Sequence, residues 1–375
     1  MARRILFPYV GDSIGGSHIS SVTLARSLDA PFEPVMAVHR DGPLLDYLQG
    51  SGLQVVRIPD LDMPRLRPYW RQWRSFRKAR RLLGEVISDL SISAVHTNDM
   101  RMHAAWVFAC QGSGVPHVWH QRTPSPSPHT HALSRFSAAR IAVSEYALAS
   151  LPAAMARQTR VIYNPVEVSG IDRPAARQAL LDRLGLNDPE TALIGWVANF
   201  ADRKRPEVFV AMARHLRERS PQRPLHFVMV GGTRDPAFDR CRAATADLGL
   251  QGHVSFLGSV HPADALIAGL DVFVAPAVDE AFGRTLVEAA LHGVPVVAAA
   301  SGGHGEILRD RETGLLVPPD QPDLFAQAVQ SLLDCGDLGS RITMSARIEA
   351  HARFSVARHV EEMAQVYRDV MGQAA

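Results

Sequence analysis

The sequence predicts an α/β protein of two doubly wound domains, each a parallel sheet with helices on both faces. Three observations carry this. The chain has 375 residues, more than one hydrophobic core usually supports. Short apolar runs alternate with helical stretches, the pattern of a parallel sheet buried on both sides. That alternation stops near residues 165 to 188 and then starts again.

The first series opens with "RRILFPYV", a buried strand. "GGSHISSVTLARSL" follows, with Val22, Leu24, Ala25 and Leu28 at helical spacing. "FEPVMAVH" is a strand, and "GPLLDYLQGSG" is a short helix closed by glycine. "LQVVRIP", "SAVHTND", "PHVWHQ" and "ARIAVSE" are further strands. In the second series "TALIGWVAN" is a strand, and "PEVFVAMARHLRER" is a helix with Pro206 in its first turn. "LHFVMVGG", "HVSFLGS", "DVFVAPA", "VPVVAAA" and "TGLLVPP" complete the set. Two helical segments end the chain, and the last, "VARHVEEMAQVYRDVM", is long and amphipathic. The expected divisions are a first domain over 1–170, a linker over 171–188, a second domain over 189–353 and a terminal helix over 354–375. That helix is expected to return towards the first domain. Ligands in such sheets bind beyond the carboxyl ends of the strands, which places the expected site in a cleft between the domains.

Composition removes several classes. A hydrophobic fraction of 46% is ordinary for a globular protein, and no apolar run is long enough to cross a bilayer. The opening "MARRILFPYVGDS" reads as a strand rather than a secretion signal, because its apolar part is short and leads into a glycine-rich turn. Cys110, Cys241 and Cys335 are far apart and odd in number, which suits a reducing cytoplasm. A net charge of +2 gives no reason to expect nucleic acid.

Two carboxylates, Glu280 and Glu288, flank "AFGRTLV". Glu280 belongs to a loop, since "FG" interrupts any helix there, and Thr285 is expected to open the helix that carries Glu288. The backbone N–H groups of Gly283, Arg284 and Thr285 then leave a helix start, a natural anion site. Carboxylates beside it suit hydroxyls rather than phosphate. An anion next to several hydroxyls describes a sugar nucleotide. The plainer alternative is a carboxylate near a helix start and another in solvent. Gly15 and Gly16 lie between a strand and a helix, where backbone can approach a phosphate or simply turn tightly. Arg203, Lys204 and Arg205 form a basic run in "ADRKRPE". "HVWHQRTPSPSPHTH" packs four histidines and three prolines but lacks metal-ligand spacing.

"RLRPYWRQWRSFRKARRLLG" holds eight Arg and Lys residues and no acid. Phe76, Ala79, Leu83, Val86 and Leu90 form an apolar stripe. Arg67, Arg71, Arg74, Lys78 and Arg81 recur on another face, with Trp70 and Trp73 beside it. A basic helix with aromatics suits an anionic membrane surface; a nucleic-acid patch and an ordinary solvated face are the alternatives.

"EAFGRTLVEAALHGVPVVAAASGGHGEILRDRETGLLVPP" resembles the E-x7-E region of the retaining glycosyltransferases of family 4. "GGSHISSVTLARSL", "IAVSEYALASL", "VIYNPVE", "VANFADRKRPEVFVAMA", "VSFLGSV" and "FSVARHVEEMAQVY" extend the likeness over nearly the whole chain. The resemblance implies the GT-B fold, a nucleotide diphosphate sugar held mainly by the second domain, an acceptor held mainly by the first, and no metal or other cofactor. It implies catalytic roles for Glu280, Lys204 and His120. It implies donor contacts from Gly15, Gly16, Asn199, Arg203, Lys204, Glu280, Phe282, Gly283, Arg284, Thr285 and Glu288. Lys204 matches the family's phosphate-binding lysine. His120 resembles a histidine near the donor sugar, with a packed strand-end histidine as the alternative. "SGGHGE" resembles the family's Gly-Gly-x-x-Glu loop, with Gly302, Gly303 and Glu306. Two departures stand out: Asn199 replaces a common arginine, and His18 replaces a common acid.

The expected activity is transfer of a hexose-type sugar to a growing cell-surface glycan or its lipid-linked precursor, as in polysaccharide or lipopolysaccharide synthesis, on the inner face of the plasma membrane. A nucleotide-sugar epimerase of the same architecture and a binding module without turnover are the rivals. A dinucleotide oxidoreductase fits worse, because "GDSIGGSH" lacks the G-x-G-x-x-G frame.

Overall fold

The computed structural model describes residues 2–60, 73–124 and 132–372. Two compact units emerge, one of residues 1–166 with 354–375 and one of residues 167–353.

The first unit is built on seven parallel strands: β1 (Arg3–Tyr9), β2 (Phe32–Val38), β3 (Gln54–Arg57), β4 (Ile92–Thr97), β5 (His117–Gln121), β6 (Ala139–Ala142) and β7 (Thr159–Val161). Their order is β3-β2-β1-β4-β5-β6-β7. Six of these strands are expected from apolar runs. The seventh, at the sheet edge, is Thr-Arg-Val, with a single apolar residue and so no apolar run. Ile5, Phe7 and Tyr9 point to one side of β1, and Leu6 to the other. The first side packs on Val22, Leu24 and Ala25 of the helix Gly16–Ser27 and on Met363, Tyr367 and Val370 of the helix Val356–Gly372. The second packs on Ala79, Leu83 and Ile87 of the helix Trp73–Asp89 and on Trp106 of the helix Met100–Ser113.

The second unit has six parallel strands: β8 (Ala192–Val197), β9 (Leu225–Val230), β10 (Val254–Phe256), β11 (Val272–Ala275), β12 (Val296–Ala299) and β13 (Leu315–Val317). Their order is β10-β9-β8-β11-β12-β13. The order reverses between β8 and β11, and such a reversal opens a crevice beyond the strand ends. Phe209, Met212 and Leu216 of the helix Pro206–Arg219 cover β8 and β9.

The segment expected to be a linker is instead largely a helix, Arg173–Leu184, inside the second unit. Arg173 donates to the carbonyls of Ala268, Leu270 and Gly293, at 3.1, 2.8 and 2.8 Å. Arg177 reaches Asp271, which also accepts the Leu193 N–H at 2.7 Å. Arginines at helical spacing read as surface, but their carbonyl partners, remote in sequence, join the buried Ala176, Leu180 and Leu181 in holding the helix to its unit.

Among the described residues no helix is long and apolar enough to cross a membrane. Arg67, Trp70 and Arg71 lie outside the described residues. Trp73 and Arg74 begin the helix Trp73–Asp89, on which Lys78 and Arg81 are exposed.

Candidate functional site

The reversal between β8 and β11 holds a pocket. Its floor is Trp196 and Val197 from β8 and Phe273 and Val274 from β11, and its polar wall is Lys204, Glu280, Thr285 and His304.

Three loops meet there. The first leaves β8, passes Asn199 and makes a short 3₁₀ turn over Asp202–Lys204 before Arg205, at φ 50°, starts the helix Pro206–Arg219. Beneath it Trp196, Phe200, Phe238 and Phe256 cluster in edge-to-face and tilted pairs, with ring centres 4.8 to 6.2 Å apart. The second leaves β11 and carries Glu280. It is tied to the first by the Val278 N–H, 2.8 Å from the Arg203 carbonyl. The third leaves β12 and carries Gly302 and Gly303. A side chain on Gly302, at φ 59°, would sit 2.5 Å from the Glu280 carbonyl, and one on Gly303 would sit 2.6 Å from that of Ala281. Only glycines let this loop lie flat on the Glu280 backbone, and the Gly303 N–H donates to the Glu280 carbonyl at 2.8 Å.

The side chains meet at Glu280. Arg203 donates to its Oε2 at 2.6 Å, and Lys204 Nζ donates to the same oxygen. Burial alone would raise the Glu280 carboxyl, but Lys204 and Arg203 outweigh it and hold it at about 2. Burial pushes the Lys204 ammonium down, and Glu280 pulls it back up. The pair is ionised, because each charge is what makes the other tolerable out of water. Arg203 remains half exposed, whereas Lys204 and Glu280 do not.

Gly283, at φ 102°, is the N-cap of the helix Arg284–Leu291, so the helix opens one residue before Thr285, the expected start. Arg284 and Glu288 pair along one helix face at 2.7 Å, each 13% exposed. Burial pushes the Glu288 carboxyl up, and Arg284 opposes this. Thr285 lines the pocket; Arg284 and Glu288 do not. Phe282 is also absent from the wall and is buried.

The two departures acquire physical reasons. Asn199 Oδ1 accepts the Gly232 N–H at 3.3 Å, a bond arginine cannot make because it has no acceptor. His18 Nδ1 accepts the Gly15 N–H at 3.0 Å, while the His18 N–H donates to the Gly15 carbonyl. The side-chain bond is the half of a capping box that an acid at the same helix position would form, and Gly15 has no side chain to supply the other half. Burial first, and Arg122 next, lower the His18 imidazole to about 4, so the cap is neutral. It fixes the Gly15–Gly16 turn.

His120 is brought into the core of the first unit. Its Nδ1 is 3.1 Å from His96 Nε2, and His96 Nδ1 is 2.6 Å from the Tyr367 hydroxyl. His120 is fully buried. Sequence reasoning passed over its neighbour Arg122, which is buried just beyond the end of β5. Arg122 donates to Asn98 at 2.9 and 3.0 Å, to Ser21 at 3.3 Å and to Asn164. An arginine directly after a buried strand was the available signal.

Two family models match the chain: "Glycosyltransferase Family 4" over residues 14–169 and "Glycosyl transferases group 1" over residues 191–335. Together they take in most of the sequence, and the chain belongs to the family 4 glycosyltransferases. Among curated relatives, the D-inositol 3-phosphate glycosyltransferase of Corynebacterium glutamicum is 32% identical over 215 residues, 56% of this chain and 49% of the relative. That of Salinispora arenicola is 34% identical over 209 residues, 53% and 46% of the two chains. The chain thus spans about half the length of these relatives. Among solved structures, Anabaena HepE (Alr3699) in complex with UDP-glucose superposes with a TM-score of 0.82 at 20% identity, over 98% of this chain and 99% of that one. A Rickettsia africae glycosyltransferase gives 0.82 at 18%, over 99% of each. The fold is GT-B.

Proposed function

We propose that the protein is a retaining glycosyltransferase that moves a hexose from a nucleotide diphosphate sugar to a hydroxyl of a glycan or lipid-linked acceptor, in the synthesis of a cell-surface polysaccharide or lipopolysaccharide. The observation that carries this reading is the Lys204–Glu280–Arg203 cluster beside the first turn of the helix Arg284–Leu291. Transfer breaks the bond between the anomeric carbon and the diphosphate, and negative charge grows on the departing phosphate. Two cations and a helix start are suited to stabilise that charge. With Glu280 ionised, the three side chains carry one net positive charge, which draws a phosphate in. Glu280 is then the acceptor for a sugar hydroxyl and the group that aims Lys204. No metal takes part in this proposal.

The HepE complex with UDP-glucose makes a UDP-hexose the first donor to try, and the names of the curated relatives put inositol phosphate among the acceptors to try. The exposed Lys78 and Arg81 support a further part of the reading: the helix Trp73–Asp89 rests peripherally on an anionic membrane.

The experiment is a melting-temperature screen against UDP, GDP and ADP sugars, followed by NMR of the product from the best donor with EDTA present. One donor raises the melting temperature, and the product keeps the donor's anomeric configuration. An inverted product, or no donor that binds, contradicts the proposal. Free epimerised nucleotide sugar made without acceptor establishes the epimerase instead.

A further inference from the structure

We propose that His304 is a specificity-determining residue of this pocket, and that its Nε2 accepts a hydrogen bond from one hydroxyl of the donor's sugar. The inference rests on the reading of the pocket as a donor site.

The loop that carries His304 has little freedom. Ser301 Oγ is 3.3 Å from the Asp279 N–H, and the Gly303 N–H is bonded to the Glu280 carbonyl. Gly302 and Gly303 press on the backbone of Glu280 and Ala281. This seats the imidazole against Gly283, where a side-chain carbon would meet its Cδ2 at 3.1 Å and its Nε2 at 3.5 Å. The residue is 1% exposed yet lines the pocket with Lys204, Glu280 and Thr285.

The ring's chemistry is fixed by its other nitrogen. His304 Nδ1 lies 3.0 Å from the Ala299 carbonyl, which can only accept, so Nδ1 carries the proton. Burial holds the imidazole below its ordinary range. The Ala299 carbonyl and Glu280 oppose this, and Lys204 adds to it. The ring is therefore neutral, and Nε2 offers a lone pair. Among the described residues no donor meets that nitrogen. A ligand hydroxyl that enters the pocket can donate to that lone pair.

A lone pair repels phosphate oxygens, so Nε2 does not serve the diphosphate. Glu280 and His304 are two acceptors on one wall, opposite in chemistry to Lys204 and Arg203. The cations suit the diphosphate end of a donor, and the acceptors suit the polyol end.

The test uses the best-binding donor among UDP-glucose, GDP-mannose and ADP-glucose, with its set of monodeoxy analogues. His304→Phe keeps a ring and removes the acceptor; His304→Gln restores an acceptor. In wild type, removal of one particular hydroxyl lowers kcat/KM about tenfold, the effect of one lost hydrogen bond in a dry site. In His304→Phe that penalty falls below about threefold, the full sugar becomes correspondingly worse, and affinity for the nucleoside diphosphate stays within about twofold. His304→Gln recovers part of the discrimination. A penalty pattern in folded His304→Phe that matches wild type at every position overturns the assignment and leaves the donor reading intact. A parallel loss of nucleoside diphosphate affinity overturns it too, because the residue then only supports the loop. Should none of the three donors bind wild type, the donor reading itself falls, and this inference with it.

Discussion

At the scale of single residues, the pocket is organised by charge pairs that sequence shows only in part. Arg284 and Glu288 stand four apart on one helix, so their pairing is legible from spacing alone. Lys204 and Glu280 are 76 residues apart, and nothing local joins them. The likeness to a family picked out both but did not reveal that each is the other's partner. His120 shows the limit more sharply. Its position left open a place at the sugar or a packed strand end, and its bonding partner His96 leads to Tyr367, 271 residues from His96. A buried imidazole chain of that kind leaves no pattern in sequence. Arg284→Ala strands the Glu288 carboxylate in a buried place and should destabilise the protein by about 3 kcal/mol. Replacing both partners by Met and Leu should recover most of the loss. Chemical denaturation of the three proteins checks this, and equal stability of the single and double variants would contradict it.

At the scale of elements, most strands were legible as short apolar runs, the three-residue β10 and β13 included, and the edge strand β7 was missed because Val161 is the one apolar residue of its three. The helix Arg173–Leu184 was taken for a linker because arginines share with Leu180 and Leu181 the task of holding it, and the arginines' carbonyl partners lie far off in sequence. The helix Trp73–Asp89 is the opposite case. Its apolar stripe was visible, and Ala79 and Leu83 are buried as that stripe requires. Its basic face, with Lys78 and Arg81 exposed, is the part proposed to meet lipid. Each such cation contributes about 1 kcal/mol at an anionic surface, and the attraction fades over a Debye length of about 8–10 Å at ordinary salt. Lys78→Gln with Arg81→Gln should therefore weaken binding to anionic vesicles by roughly one to two decades and leave nucleotide binding unchanged. Sedimentation with vesicles decides: wild type that stays in solution at low salt with anionic lipid removes the membrane from the proposal.

At the scale of the molecule, the two units carry different burdens. The first holds a set of buried neutral imidazoles: His96, His103 and His120 lie well below the ordinary range, and His117 and His359 lie at about 3, all through burial first. Unfolded, each takes a proton near pH 6.5; folded, each stays neutral to far lower pH. The unfolded state thus binds more protons below about pH 6.5, and stability must fall as pH falls through that point. Hydrogen exchange between pH 7 and pH 5 should loosen the first sheet earlier than the second, and equal protection at both values would contradict this. Glu280 behaves in the other sense. Held at about 2, it keeps its ion pairs across that window, so the pocket's charge is constant while the first unit weakens. The two-domain plan was legible from the restarted alternation of strands and helices. The pocket's place at the β8–β11 reversal followed from strand order, which no local pattern gives. The central claim is that the Lys204–Arg203–Glu280 cluster receives a diphosphate. Calorimetric affinities for UDP and UMP, in wild type and in Lys204→Ala, test it most directly. A charge-assisted bond contributes about 1.5–3 kcal/mol. Wild type should therefore prefer UDP by roughly one to two decades, and Lys204→Ala should lose most of that preference with UMP affinity little changed. The same ratio of UDP to UMP affinity in both proteins would contradict the account.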